Sequence, residues 1–192
     1  EHAAEMARSE ELGFGRAHQA APPTVEWTSH RIDLQALGMN RKYCPFSSGE
    51  LVITSTTPLL TPTECASIRA EAAALIADGA KSTFTMTDTN RDVPLHDLQE
   101  TVAFLNGGGL ARVTNLAAAC FPSAVDDPTS MWIYRGLVAN YDAAAGLTHQ
   151  PMHRDGSLIS CVIPLSPLDE YESGGTYVEP LGRSVALEQG CA

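Results

Sequence analysis

Near Met131 the hydrophobic pattern of this 192-residue chain changes period, and that change limits the architecture more than any count of residues does. Before it, between Glu64 and Cys120, apolar residues recur at helical spacing; after it, they come in runs rich in β-branched and aromatic residues, separated by turn formers. An α-rich front half and a strand-rich back half make an α+β fold, with helices flanking one sheet-built core. At 44% hydrophobic, the chain can bury one substantial core, so one domain over residues 50–192 with an N-terminal extension over 1–49 is the economical division.

The elements follow from local signals. Leu51 to Thr56 is a strand by β-propensity, ended by Pro58. Thr61-Pro62-Thr63-Glu64 supplies a threonine N-cap, proline at the first helical position and glutamate three residues after the cap, so a helix runs from there to about Ala77. Its buried face is Ile68, Ala72, Leu75 and Ile76, and Gly79 lies beyond its end. A second helix spans Asp97 to Asn106 and breaks at Gly107-Gly108-Gly109; a third spans Leu110 to Cys120 with Val113, Leu116, Ala117 and Cys120 inward. Trp132 to Tyr141 and Leu158 to Leu165 are strands. In the extension, a short helix over Glu5 to Leu12 and a docking strand within Val25 to Leu37 are expected, then a loop from Asn40 to Gly49.

Charge and cysteine content exclude some functions. A net charge of −11 without any run of Lys or Arg argues against nucleic-acid phosphate as a partner. No apolar stretch reaches the roughly 18 residues of a membrane span. The five cysteines have no C-x-x-C spacing, so a zinc site is unsupported; Cys65, Cys120 and Cys161 read as buried or partly buried free thiols, with a disulfide at Cys44 or Cys191 left open. Compartment and oligomeric state are not determined.

The chemistry concentrates in His153-Arg154-Asp155. On an extended segment, residues two apart project from one side, so this imidazole and carboxylate can grip one ion, with Arg154 facing the other way. An imidazole, a carboxylate and one further histidine make the facial triad of non-haem Fe(II) oxygenases. The plainer alternative is a histidine hydrogen-bonded to its neighbouring aspartate. After the pair come Gly156-Ser157, the apolar run Leu158 to Leu165, a turn, and Gly174-Gly175-Thr176 opening another strand.

That order resembles the Fe(II)/2-oxoglutarate-dependent dioxygenases, and within them the prolyl 4-hydroxylase-like group. The resemblance implies a double-stranded β-helix (jelly-roll) core and His153 and Asp155 as metal ligands. It implies 2-oxoglutarate as co-substrate, ascorbate to keep the iron reduced, and hydroxylation of a C–H bond, of a peptidyl proline or a related residue. Tyr141 matches a tyrosine that helps bind 2-oxoglutarate in that group, though it could equally pack in the sheet; Thr176 is a further candidate for the pocket. In the family the second metal histidine and a basic residue for the far carboxylate of 2-oxoglutarate come several dozen residues after the aspartate. Here Gly156 to Ala192 contain no histidine. The domain is therefore expected to lack its C-terminal strands, to expose an unpaired edge and part of its core, and to bind iron weakly without turnover as given.

Two alternatives stand beside the oxygenase. One is a non-catalytic double-stranded β-helix binding module with a vestigial metal site. The other is a cupin-like isomerase or lyase, which needs more histidines near His153, with His149 the one candidate. Otherwise His149 is a polar residue at the pocket mouth or exposed.

Overall fold

The computed structural model describes residues 25–33, 46, 49–79 and 92–192. The expected helix at Glu5 to Leu12, most of the 40–49 loop, the 81–91 part of the polar connection and Cys44 lie outside the described residues.

Strand β1 (Trp27–Arg31) pairs antiparallel with β2 (Glu50–Ser55), Trp27 opposite Ser55, with a register shift between His30 and Arg31. The docking strand of the extension is thus present, and its partner is the strand expected from Leu51 to Thr56. Helix α1 (Pro62–Ala77) begins as its capping box dictates: the Thr61 hydroxyl accepts from Glu64 N at 3.2 Å, and Thr61 N donates to the Glu64 carboxylate at 2.7 Å. It ends at Asp78, and Gly79 takes a positive φ of 86°.

Strand β3 (Val93–Pro94) pairs with β4 (Leu137–Val138). The long strand expected over Trp132 to Tyr141 shrinks to two paired residues. Pro94 has no N–H to extend the ladder, and Gly136 is pressed so close to Leu95 that a Cβ there would lie 2.3 Å from Leu95 Cδ1. A tight turn over Leu95–Asp97 delays the second helix, so α2 covers Gln99–Phe104 rather than Asp97 to Asn106.

The glycine triplet kinks the chain without parting the two helices. A π turn over Leu105–Gly109, with Gly108 at φ 125°, joins α2 to α3 (Leu110–Cys120). The buried face of α3 is Leu110, Ala111, Thr114 and Ala117, one step round from the expected face, and Val113, Leu116 and Cys120 are half-buried. An apolar helix allows several stripes, and which one is buried depends on the elements packed against it.

The core has two joined parts. Leu60, Cys65 and Ile68 are packed by Phe104, Val138, Ile163 and Leu165; Ala72, Val93 and Leu98 are packed by Leu75, Ile76, Leu95 and Val138. Val138 touches both, so β4 wedges between the helices and the downstream chain. Strands β5 (Thr176–Val178) and β6 (Arg183–Val185) form a third small ladder. The strand expected over Leu158 to Leu165 has no ladder among the described residues: Ile163 and Leu165 reach the core, while Leu158 and Val162 are exposed. The last residues knit the molecule together. Gly190 O accepts from Leu59 N and Leu60 N, Gly190 N donates to Pro164 O, and Ala192 bonds Ser55 through both its N–H and its carbonyl.

Candidate metal centre

The segment carrying the pair is anchored at its start by a closed turn. Asp142 accepts from Ala144 N and Ala145 N, Gly146 adopts φ 80°, and Asp142 and Leu147 exchange two backbone hydrogen bonds of 2.9 and 2.8 Å. Leu147 is buried, and the chain then runs outward through Thr148 to Asp155.

His153 Nε2 and Asp155 Oδ1 stand 3.4 Å apart. His153 Nδ1 lies 2.8 Å from Pro151 O, and because a carbonyl can only accept, Nδ1 carries the proton. The two side chains converge as the H-x-D spacing suggests, but the cause is different. Residues 148–155 form no ladder, so strand alternation does not place them; a bend at Met152 and the hold of the Pro151 carbonyl on the ring do.

With Nδ1 turned to the carbonyl, Nε2 faces a carboxylate oxygen at 3.4 Å. A proton on Nε2 or a shared metal ion can bridge the two atoms. Two donors each about 2.1 Å from one ion stand about 3.4 Å apart at the tetrahedral angle and about 3.0 Å apart at the right angle of a facial triad, so this pair would close by about 0.4 Å to share an octahedral ion. A ring whose other nitrogen is tied to a carbonyl is also how metal-binding histidines are commonly oriented. The fit is to two ligands: among the described residues, no three His, Cys, Asp or Glu side chains are grouped to hold an ion. The pair is open to solvent, the side chains being 42% and 52% exposed.

Among the described residues, no hydrogen bond joins the other expected site residues to the pair. Tyr141 is mostly exposed, and its hydroxyl is held above the ordinary phenol range by burial first and by the charge of Asp92 second. Thr176 lies exposed on β5, in register with Val185. His149 is exposed with its ring against the Thr148 hydroxyl at 3.1 Å, and Arg154 is exposed. Gly174 and Gly175 serve the backbone as expected: both have positive φ, and a Cβ at Gly175 would lie 2.7 Å from Val185 O. Cys65, Cys120, Cys161 and Cys191 are free thiols; Cys161 is exposed as a residue, while close surroundings push its thiol up to about 11.

Asp92 was not marked out by sequence, nor was Gln150 as its partner. Asp92 is buried, its carboxyl is raised above the usual carboxylate range by that burial, and Gln150 Nε2 donates to its Oδ2 at 3.4 Å. The available signal was slight: a carboxylate directly before the apolar Val93-Pro94-Leu95, in a stretch otherwise polar and turn-rich.

No family model, curated protein or solved structure matches the chain. Among the described residues, no helix is long and apolar enough to cross a membrane.

Proposed function

We propose that residues 50–192 belong to an Fe(II)- and 2-oxoglutarate-dependent oxygenase domain of the prolyl 4-hydroxylase-like kind, with a jelly-roll core, acting on a peptide or small-molecule C–H bond. The observation that carries this reading is the approach of His153 Nε2 to Asp155 Oδ1 with Nδ1 already committed to a backbone carbonyl. The resemblance of the H-x-D, apolar-run and Gly-Gly order supports it.

His153 and Asp155 would be two of the protein ligands, and a third donor from outside this grouping completes the set. Iron with 2-oxoglutarate and O₂ supplies the oxidising power when bound, with ascorbate keeping the metal reduced. The chain's own part is to hold the imidazole in one tautomer, to set the carboxylate beside it and to orient the co-substrate. The Tyr141 hydroxyl, a phenol protonated near neutral pH, is fitted to donate to a carboxylate. Thr176 is a second hydroxyl for the same task. Because the atom that takes the metal also takes a proton, metal uptake should weaken in acid.

A second reading, a binding module with a vestigial metal site, is favoured by one observation: only two donors converge among the described residues. Fe(II)-dependent release of succinate from 2-oxoglutarate decides between them. In an active oxygenase, His153→Ala or Asp155→Ala should each lower that rate at least about 100-fold, about 2.7 kcal/mol in the barrier. Turnover untouched by both substitutions would remove the assignment; absence of turnover from a protein that also carries the third donor, with metal retained, would favour the binding module.

A further inference from the structure

Between the buried anchor Leu147 and the exposed His153, one side chain reaches back into the protein. Gln150 is half-buried and donates its amide to Asp92, a residue 58 positions earlier in the chain, which sits just before β3 and is only 4% exposed. The next residue, Pro151, provides the carbonyl that receives His153 Nδ1–H at 2.8 Å. The Gln150–Asp92 hydrogen bond thus lies one residue from the carbonyl that faces the His153 ring.

Asp92 is an expensive way to make such a tether. A buried carboxylate is disfavoured unless well paired, and Gln150 at 3.4 Å is a long, single donor. Nothing comparable holds the stretch from His153 to Gly156, where all four residues are exposed.

We propose that Asp92 and Gln150 are positioning residues for His153, fixing its Nδ1–H tautomer through the Pro151 carbonyl and so presenting Nε2 toward Asp155. The metal-binding part of the inference rests on the oxygenase reading; the tautomer part does not. Gln150 acts as the strut and Asp92 as its buried footing. Neither touches substrate or reacting atoms.

Ring ¹⁵N–¹H spectra of the histidine-labelled chain, with His153 assigned by its loss in His153→Gln, test this directly. The parent protein should show His153 protonated at Nδ1. Gln150→Ala and Asp92→Ala should convert it to a mixture of tautomers, and Asp92→Asn, which still offers an acceptor to the Gln150 amide, should restore the Nδ1–H form. A merely structural Asp92 would alter the melting curve and leave the tautomer alone. In parallel, Co(II) titration of the same proteins should show affinity about tenfold weaker in Gln150→Ala. A folded Gln150→Ala protein with His153 still wholly Nδ1-protonated overturns the inference; because Gln150 is half-buried at the surface, this variant serves even where Asp92→Ala does not fold. A parent protein that takes up no Co(II), but whose tautomer shifts with Gln150→Ala, upholds the positioning role and removes the metal reading instead.

Discussion

Three donors converge on the Glu64 carboxylate. Thr61 N–H reaches Oε2 at 2.7 Å, and the Arg112 guanidinium takes both oxygens, at 2.8 and 2.9 Å, while its Nη1 also donates to Leu59 O at 2.9 Å. The Arg112 hydrogen bonds, more than any other influence, hold the Glu64 carboxyl below its ordinary value, and those same bonds raise Arg112. The guanidinium also lies 5.6 Å from the Phe104 ring centre, so one arginine joins the start of α1, the kinked end of α2 and α3. A carboxyl whose folded pKa is depressed contributes stability above its unfolded pKa and loses it as pH falls through the folded value. Glu64→Gln should therefore cost about 1 to 2 kcal/mol near neutral pH, the partial exposure of both side chains keeping the figure modest. Urea titrations of the two proteins from pH 7 down to pH 3 should show the difference steady at first and shrinking below about pH 4.5. A difference that stays constant to pH 3 would show that the ion pair is not its source. At this scale the sequence was informative about Glu64 as a cap and silent about Arg112, because the first relation spans three residues and the second 48.

Helix α2 shows the same division between local and distant causes. Its N-cap position is Leu98, which has no side-chain oxygen to offer. Glu71, on α1, supplies the missing acceptors: its carboxylate takes Glu100 N–H at 2.8 Å, Thr101 N–H at 2.9 Å and the Thr101 hydroxyl at 2.6 Å. Three groups at the positive end of a short helix are thereby satisfied by a negative charge from its neighbour. Leu98 is consequently free to be fully buried against Ala72 and Val93. Glu71→Ala should destabilise the protein by about 1 to 2 kcal/mol, in the range for losing a helix cap, and Glu71→Gln should recover part of that. Thermal unfolding of both variants checks it; equal melting temperatures for Glu71→Ala and the parent would rule out the cap. The sequence placed the three α-helices of the described residues because their apolar periodicity is local. It misjudged where α2 starts and which face α3 buries, since those depend on a cap from another element and on which neighbour approaches.

Across the described residues, the segment from Gln189 to Ala192 fastens elements that are far apart in the chain. Gly190 takes φ 79°, and a Cβ there would lie 2.1 Å from Leu60 O, a backbone atom that cannot swing aside. Gln189 Nε2 donates to Leu165 O and Gly190 N to Pro164 O, so this segment ties the start of α1 and β2 to the run that follows His153 and Asp155. Gly190→Ala should cost roughly 2 to 4 kcal/mol through strain and lost closure. Denaturant midpoints measure this, and a loss under half a kilocalorie would mean that the tail is not a fastening. The chain's own order of residues determined the capped α1, strand β2, the backbone role of Gly174-Gly175 and the H-x-D pair, because each is specified by neighbours a few positions apart. Only the tertiary structure decided that β4 pairs over two residues, that Glu71 caps α2, that Gln150 rests on Asp92 and that the tail locks beside α1. Those contacts join positions dozens of residues apart, and their free energy depends on burial and approach that no local pattern encodes.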